Sequence, residues 1–354
     1  MSKSLAYGIA KIFAWLIPPF LLLLSSLSVY ISPELFPVAE LMCLAFPVWL
    51  TISIVLFIPL CFFRKKLVYI YLSILLLNAP AIYNYCPINS NSENRVDLSV
   101  ISYNVNGFGK KPHFDTELLK QFAEAFNNSD ADIIFFQEGT WANTLADPLK
   151  TKYPYQEYTK TNGEYSVLGT FSKYPISSME IIDTTSHNTC AVVKIILAEG
   201  DTLNVVNCHL VSLGISKGYN EGLSETNKKY HLKQAETQGL ILQIMSAAAT
   251  RAEQVDRIAA YLEKNKDANI ILLGDFNDTP ISYAHQKFAN YLSDCFRRSG
   301  NGIGRTYADY CLPLRIDHLF CSKQWIPISC RIKNEIHLSD HFPLICTFKR
   351  EAQR

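Results

Sequence analysis

The apolar and polar positions divide the chain into two parts, with long apolar runs up to about residue 86 and short ones beyond. An uncharged run of roughly twenty residues can cross a bilayer as a helix. The runs predict three membrane spans, at about residues 12–31, 36–63 and 67–86. Pro18-Pro19 predicts a kink in the first span, which membrane helices tolerate. A cleaved signal peptide is the alternative for that span, but no small-residue cleavage site is evident and further apolar runs follow.

Basic residues beside these runs predict which side of the membrane each end faces. Lys3 and Lys11 precede the first run and Arg64-Lys65-Lys66 separates the second from the third, whereas the loop at 32–34 has no base. Positive loops face the cytoplasm, so three spans would make this a multi-pass membrane protein whose larger domain is extracytoplasmic. If the third run, which polar residues and a proline interrupt, lies only at the membrane interface, that domain faces the cytoplasm instead.

A polar linker at about residues 87–96 precedes a second domain at 97–354, where short apolar runs alternate with turns. Residues 165–171 and 176–182 are expected to pair as two strands across 172–175. Many strands with interspersed helices predict an α/β (α+β) layered domain. The predicted elements are strands at 98–103, 133–136, 165–171, 176–182, 191–197, 203–208, 270–273, 316–321, 328–332 and 344–348, and helices at 116–126 and 224–262.

The charge of the chain is nearly balanced, with 33 basic and 32 acidic residues. Residues 1–96 hold six of the bases and three of the acids, which leaves 27 bases and 29 acids for the second domain. A nucleic-acid interface normally needs a basic track. The basic pairs here are small, at 110–111, 228–229 and 297–298. The charge pattern therefore disfavours an extended nucleic-acid interface.

Polar residues with catalytic potential recur where the predicted strands end or begin. After the apolar run 270–273 comes Gly274-Asp275-Phe276-Asn277, in which the i, i+2 spacing puts Asp275 and Asn277 on one side of an extended backbone. Each group alone is compatible with an ordinary turn. Together they predict one shared site, because strand ends are where layered α/β folds build their sites. The other groups are Asn104 and Asn106, Gln137 and Glu138, His209, Asp317 and His318, and Asp340 and His341.

The residue types in these groups narrow the chemistry. Carboxylates with amides suit a hard cation such as Mg²⁺ or Mn²⁺, and histidines with acidic partners suit a role at a phosphate. No serine or cysteine stands in a nucleophile motif, and the sequence has no G-x-x-x-x-G-K-[ST] loop. These features indicate metal-assisted attack of water on a phosphoester. A zinc hydrolase is the rival, although H-E-x-x-H is absent.

Cysteine spacing argues against a zinc knuckle or a thioredoxin-like site, because none of the ten cysteines forms a C-x-x-C pair. A disulfide among Cys295, Cys311, Cys321 and Cys330 stays open, since sequence alone cannot pair them.

The motifs Gln137-Glu138, Gly274-Asp275-Phe276-Asn277 and Ser339-Asp340-His341-Phe342-Pro343, in this order, resemble those of the endonuclease/exonuclease/phosphatase family. The resemblance covers about residues 97–350. It implies a four-layer α/β/β/α sandwich of two mixed β-sheets with the site at the strand ends. It also implies a divalent-metal-dependent hydrolase of a phosphoester, here tethered to the membrane.

The substrate stays open, because one fold serves many phosphoesters. The resemblance admits a nucleic acid, a phospholipid head group or an inositol phosphate. The lipid bilayer is expected as a partner through the N-terminal helices, and no obligate protein partner is expected. The alternative hypothesis is a non-catalytic, membrane-anchored binding protein that retains the fold.

The resemblance further assigns roles to single residues. It implies a site for Mg²⁺, with Mn²⁺ as the substitute, formed by Glu138, Asn104 and Asp340. It implies that Asp275 orients or deprotonates the attacking water, and that the remaining catalytic residues hold the phosphate, contact it or stabilise its charge. The expected catalytic residues are His209, Asp275, Asn277, Asp317 and His341.

The expected substrate contacts come from Asn277, His209, Asn106 and Arg251. Asn106 has the alternative role of supporting the metal ligand, and Arg251 that of a charge on a solvated helix face. His318 is expected to be structural.

Overall fold

Two six-stranded β-sheets form the centre of the second domain in the computed structural model, which describes residues 3–63, 65–90, 95–108, 116–139, 146–159, 167–185, 188–198, 200–212, 234–308 and 313–351. The strands are β1 Leu98–Asn104, β2 Ile133–Gln137, β3 Tyr155–Tyr158, β4 Gly169–Ser172, β5 Ile176–Thr185, β6 Asn188–Ile196, β7 Thr202–His209, β8 Ile270–Asp275, β9 Ser293–Asp294, β10 Asp317–Cys321, β11 Trp325–Ile332 and β12 Leu344–Arg350. The helices are α1 Lys3–Ser28, α2 Val38–Leu44, α3 Phe46–Phe63, α4 Lys65–Leu77, α5 Ala79–Tyr85, α6 Thr116–Asn127, α7 Ala146–Leu149, α8 Gln234–Lys264, α9 Tyr283–Ala289 and α10 Cys295–Ser299.

Both sheets mix parallel and antiparallel strands. The first has the order β11-β12-β1-β2-β4-β3, and the second β5-β6-β7-β8-β10-β9. In each sheet one neighbouring pair is parallel, β1 with β2 and β7 with β8, and the carboxyl ends of a parallel pair meet at one edge. The prediction of two mixed sheets is confirmed, and the two parallel pairs are where the polar strand ends lie.

The apolar side chains form three layers of core. Between the sheets, residues such as Val100 and Phe135 of the first pack against Val205 and Leu273 of the second. Helix α6 covers the outer face of the first sheet with Phe122. Helices α8 and α9 cover the outer face of the second sheet. This is the expected α/β/β/α order, and it follows from strands that are apolar on both faces.

The expected pairing of the strands around 165–171 and 176–182 is wrong. Strand β4 pairs with β2 and β3 in the first sheet, whereas β5 pairs with β6 in the second. The connection crosses between the sheets and is bonded to both: the Lys173 amide donates to the Asp132 carbonyl, and the Ile196 amide donates to the Pro175 carbonyl. Local spacing alone cannot distinguish this crossing from a hairpin.

The N-terminal part is helical, but the second and third predicted spans are each divided between two helices. Among the described residues, α3 is the one helix that is long and apolar enough by itself to cross a membrane, while α4 and α5 qualify only as a pair bent by 54°. The apolar stretch of α1, Trp15–Ser28, is shorter. Prolines explain the breaks, since Pro47 and Pro80 lie in the first turns of α3 and α5 and cannot continue a preceding helix. Three uninterrupted spans at 12–31, 36–63 and 67–86 are therefore not supported.

Cys295, Cys321 and Cys330 are free, buried thiols, and Cys311 lies outside the described residues. The predicted helix at 224–262 corresponds to α8, with 213–233 outside the described residues. Helices α7, α9 and α10 and the short strands β3 and β9 have no counterpart among the predicted elements.

Candidate active site

A pair of buried amides joins the two sheets directly beside the predicted site residues. Gln137 Nε2 donates to Asn207 Oδ1 at 2.7 Å, and Asn207 Nδ2 donates to the Phe136 carbonyl at 3.2 Å. Both side chains are fully buried. Because Glu138 follows Gln137 and His209 lies two residues after Asn207, this contact fixes the distance between the two strand ends. Sequence reasoning assigned no role to Asn207.

Gly274 lets strands β7 and β8 approach closely just before the site. Its φ is 129°, and a Cβ at this position would lie 1.9 Å from the Cys208 carbonyl oxygen. Only glycine fits both conditions. The parallel register then sets His209 beside Asp275, and the antiparallel register of β8 with β10 sets Asp317 beside Asp275. Three predicted catalytic residues are thus brought together by strand register.

The Asp275 carboxylate is the centre of the site and is held by amides. Its Oδ1 accepts from the Asn277 backbone amide at 2.8 Å, and its Oδ2 accepts from Asn104 Nδ2 at 2.9 Å. His341 Nε2 and His209 Nε2 lie 3.7 and 3.9 Å from Oδ2. Burial raises the pKa of Asp275 to about 6, although the two imidazoles oppose the rise. The carboxylate is therefore both fixed in orientation and more basic than an exposed aspartate.

The His341 imidazole is bonded to a second buried carboxylate. Its Nδ1 lies 2.9 Å from Asp317 Oδ2, and its ring meets the Tyr307 ring edge-on at 4.9 Å. Burial disfavours the imidazolium, but the charges of Asp317 and Asp275 outweigh this and raise the pKa of His341 to about 10. The site therefore holds a cationic imidazole at neutral pH.

Glu138 and Asn104 lie on the side of the cluster that the first sheet contributes. Asn104 Nδ2 donates to Glu138 Oε1 at 3.2 Å, and His209 Nε2 lies 3.5 Å from the same oxygen. The Glu138 side chain is 29% exposed, so its carboxylate can be reached from solvent. Asn106 lies beside them, and its backbone amide donates to Asn104 Oδ1 at 3.0 Å.

Backbone strain concentrates at the site. Among the described residues, three that are not glycine have positive φ: Asn106 at 45°, Glu138 at 54° and Asn277 at 51°. This conformation is disfavoured for residues with a Cβ and costs of order 1–3 kcal/mol each. All three are predicted site residues, and no sequence signal indicated their conformation.

Asn277 and Asp340 complete the group. Asn277 Nδ2 donates to the Leu210 carbonyl at 2.9 Å and lies 3.3 Å from Asp275 Oδ2. Ser339 Oγ lies 2.9 Å from the Asn104 carbonyl oxygen and 3.2 Å from Asp340 Oδ1, which places Asp340 beside the end of β1. The Asp340 charge also contributes to the raised pKa of His341.

Two of the sequence candidates are not brought into this cluster. Arg251 is neither at the cluster nor on a solvated face: it is 1% exposed, and its guanidinium bonds to Glu40 and Asp278. His318 is structural, as expected, because its Nε2 donates to the Asp278 carbonyl at 2.9 Å within the core.

The donor atoms of the cluster fit a divalent metal ion. Among the described residues, Glu138 and Asn104 hold oxygen donors beside the Asp275 carboxylate. Ligand atoms of Asp275, Asp317 and His341 also lie within 4.8 Å of one another, but the protonated His341 has no lone pair to offer a metal ion, so the oxygens are the available donors. Carboxylate and amide oxygens are the ligands that hard cations prefer. Buried polar atoms without a hydrogen-bond partner are rare, and three belong to this site: Asn106 Oδ1, His209 Nδ1 and Asp317 Oδ1.

Comparison with known families agrees with this geometry. The model of the endonuclease/exonuclease/phosphatase family matches residues 101–341. The chain belongs to that family. Members of the family are phosphoester hydrolases, nucleases and phosphatases among them, that generally use divalent metal ions. A second model, of a domain of unknown function (DUF8431), matches residues 9–85. No curated protein matches the sequence.

Solved structures share the fold at low identity. An endonuclease/exonuclease/phosphatase from Beutenbergia cavernae is 15% identical, with a TM-score of 0.54, over 73% of this chain and 72% of that one. The catalytic domain of human nocturnin with bound sulfate is 14% identical, with a TM-score of 0.51, over 74% and 97%. A family protein from Bacteroides thetaiotaomicron is 15% identical, with a TM-score of 0.50, over 72% and 98%.

Proposed function

We propose that this chain is a membrane-tethered hydrolase that uses Mg²⁺ and water to cleave a phosphoester. The observation that carries the proposal is the position of Asp275, which is buried beside His209 and His341 where the two sheets meet. A fixed carboxylate between two imidazoles is suited to act on water and on the charged phosphate that the water attacks.

Asp275 is proposed to orient the attacking water and to take its proton. Hydrogen bonds from Asn104 and Asn277 fix both of its oxygens, which holds the base in one geometry. Its pKa of about 6 brings it close to the range in which a general base works well at neutral pH.

The two histidines are proposed to act on the phosphate. The cationic His341, held by Asp317, faces the charge that builds up on the pentacovalent phosphate. His209, which approaches the same oxygen of Asp275 from strand β7, contacts the phosphate or the leaving group. The Asn277 amide donates to the phosphate in place of its 3.3 Å contact with Asp275.

Glu138, Asn104 and Asp340 are proposed to hold Mg²⁺, which would offset negative charge on the transferring phosphoryl group. The partial exposure of Glu138 gives the ion a route into the site. Mn²⁺ is expected to substitute, because it prefers the same oxygen ligands.

The membrane tether is proposed from the surface of helix α3. Ile54, Val55, Ile58 and Phe62 are each more than half exposed. An apolar helical surface of this kind is stable when lipid covers it.

The tether predicts that alkaline carbonate leaves the full chain in the membrane pellet, whereas release into the supernatant would contradict it. The extracytoplasmic placement of the catalytic domain stays a prediction, which requires the bent pair of α4 and α5 to cross the membrane after the basic Arg64-Lys65-Lys66 loop.

The full chain in detergent provides the test of the hydrolase. With Mg²⁺ it should cleave bis-p-nitrophenyl phosphate, lose this activity in EDTA and regain it when Mg²⁺ is added. Asp275→Asn should be inactive, whereas Asp267→Asn, an exposed aspartate just before the same strand, should retain full activity. Equal inactivity of wild type and Asp275→Asn across DNA, RNA, sphingomyelin and inositol phosphates would instead support the non-catalytic binding protein.

A further inference from the structure

Arg251 connects three distant parts of the chain from a fully buried position on α8. Its Nη2 lies 2.8 Å from Glu40 Oε1 on α2, and its Nε lies 3.2 Å from Asp278 Oδ2. Its Nη1 donates to the Val211 carbonyl at 2.8 Å. The side chains of Arg251, Glu40 and Asp278 are at most 3% exposed. A buried guanidinium needs such partners, because an unpaired charge in the interior is very unfavourable.

Asp278 belongs to the same turn as the catalytic residues. It follows Asn277 directly and lies three positions after Asp275 in the chain. Its carbonyl accepts from His318 Nε2 at 2.9 Å, while its carboxylate binds Arg251. The turn is therefore held at Asp278, directly after Asn277, from the β10 side by His318 and from the α8 side by Arg251.

The end of the same turn packs against the N-terminal helices. Ile281, which is 2% exposed, packs in one cluster with Leu22, Cys43, Phe46 and Tyr85. A further contact across this junction comes from Arg315, whose Nη2 donates to the Asn84 carbonyl at 2.5 Å. Between Asp275 and Ile281 the chain thus runs from the catalytic centre into the packed helical region.

We propose that Arg251 is a positioning residue that couples the N-terminal helices to the active-site turn, so that hydrolysis requires Glu40 to be seated on Arg251. The inference rests on the proposed hydrolase function. When Glu40 withdraws, Arg251 loses one of its two carboxylate partners, and water reaches the space beside Asp278. The turn then loses its fixed position on the α8 side. A shift of about 1 Å in a catalytic group can lower the rate roughly 100-fold.

The test compares two acidic residues of the N-terminal region in the full chain in detergent. Glu40→Ala removes the contact, and Glu34→Ala removes an exposed carboxylate six residues earlier as the matched control. We measure kcat on bis-p-nitrophenyl phosphate and amide hydrogen exchange of residues 275–281. Glu40→Ala should lower kcat roughly 10- to 100-fold and raise the exchange rate at least about tenfold, while Glu34→Ala changes neither.

A conservative variant separates positioning from simple loss of structure. Glu40→Gln keeps the side-chain length and an oxygen that accepts from Arg251, so it should restore kcat to within about threefold of wild type. If Glu40→Ala does not yield folded protein, Arg251→Lys takes its place. Its single ammonium cannot present separate nitrogens to Glu40 and Asp278, so the same losses are expected.

The results distinguish the failure of the proposed coupling between Glu40 and the turn from the failure of the proposed hydrolase function. The coupling is wrong if Glu40→Ala matches Glu34→Ala in both kcat and exchange at 275–281. If the wild type cleaves no phosphoester, the hydrolase proposal fails, and the exchange difference alone still decides whether Glu40 holds the turn.

Discussion

The imidazole of His341 and the carboxylate of Asp317 form a buried hydrogen bond of 2.9 Å between Nδ1 and Oδ2. Asp317 lies in strand β10 of the second sheet, whereas His341 lies just before β12 of the first. The bond therefore spans the two halves of the fold. It leaves Nε2 of His341 directed toward Asp275, 3.7 Å from Oδ2.

Asp317→Asn should make hydrolysis sensitive to pH near neutrality. In the wild type, the pKa of His341 of about 10 keeps the imidazole cationic throughout the range from pH 6 to 9. Without the Asp317 charge this pKa falls, so the variant loses the cation, and with it activity, as pH rises through the lowered value. We expect a rate loss of roughly 100-fold at pH 8, measured as a pH–rate profile. A variant profile parallel to that of the wild type would contradict the assigned role of His341.

Glu138→Gln should weaken the binding of Mg²⁺ and leave the later steps of hydrolysis less affected. The substitution keeps the shape of the side chain but removes a negative charge from the metal site. We expect the Mg²⁺ concentration for half-maximal activity to rise roughly 10- to 100-fold. Glu124→Gln, on the exposed face of α6, is the control and should leave the Mg²⁺ titration unchanged. An unchanged titration for Glu138→Gln would remove Glu138 from the set of ligands.

Gly274→Ala should destabilise the protein strongly, because its Cβ would meet the Cys208 carbonyl oxygen at 1.9 Å. Gly200→Ala provides the matched comparison: Gly200 also has positive φ, at 79°, but no atom lies within 4 Å of the added Cβ. The control should cost about 1 kcal/mol of unfolding free energy, and Gly274→Ala about 3 kcal/mol or more. Thermal unfolding in detergent measures both. Equal losses would mean that the close approach of β7 and β8 is not rigid.

Acid should destabilise the fold in part through His318. Burial, together with the nearby His285 and Arg315, lowers the pKa of His318 to about 3. As the pH falls, His318 therefore binds a proton near pH 6.5 in the unfolded chain, but only near pH 3 in the folded chain. The stability from this group is complete above pH 6.5 and falls by about 1.4 kcal/mol per pH unit below it. His318→Gln should flatten the unfolding free energy between pH 6.5 and 4.5, and an unchanged slope would contradict the assignment.

The order of motifs predicted most of the residues that the fold brings together, because these candidates lie in short strand-to-turn segments. Gly274, Asp275 and Asn277 could be read as a unit from their spacing alone. The strand register that sets Asp275 opposite Asp317 could not, since it depends on contacts between segments about forty residues apart. The left-handed conformation of Glu138 likewise has no signal in the sequence.

The role of Arg251 shows a second limit of sequence reasoning. Its position in a helical pattern was compatible with a solvated face or with a phosphate contact. The residue that decides its environment, Glu40, lies in the apolar N-terminal part, which the sequence separates from the catalytic domain by a polar linker. A contact between parts of opposite composition cannot be found from periodicity within either part.

The pairing of β1 with β12 has a consequence for how the protein is made. These are the first and last strands of the catalytic domain, and they lie side by side at the centre of the first sheet, with Leu98 opposite Phe348. During synthesis, β1 is made first, and its antiparallel neighbour β12 is made only after nearly the whole domain has emerged from the ribosome. Contacts of such long sequence separation slow folding. The nascent domain therefore stays incomplete until β12 has been synthesised, which leaves the edge of β1 that β12 covers exposed to other chains.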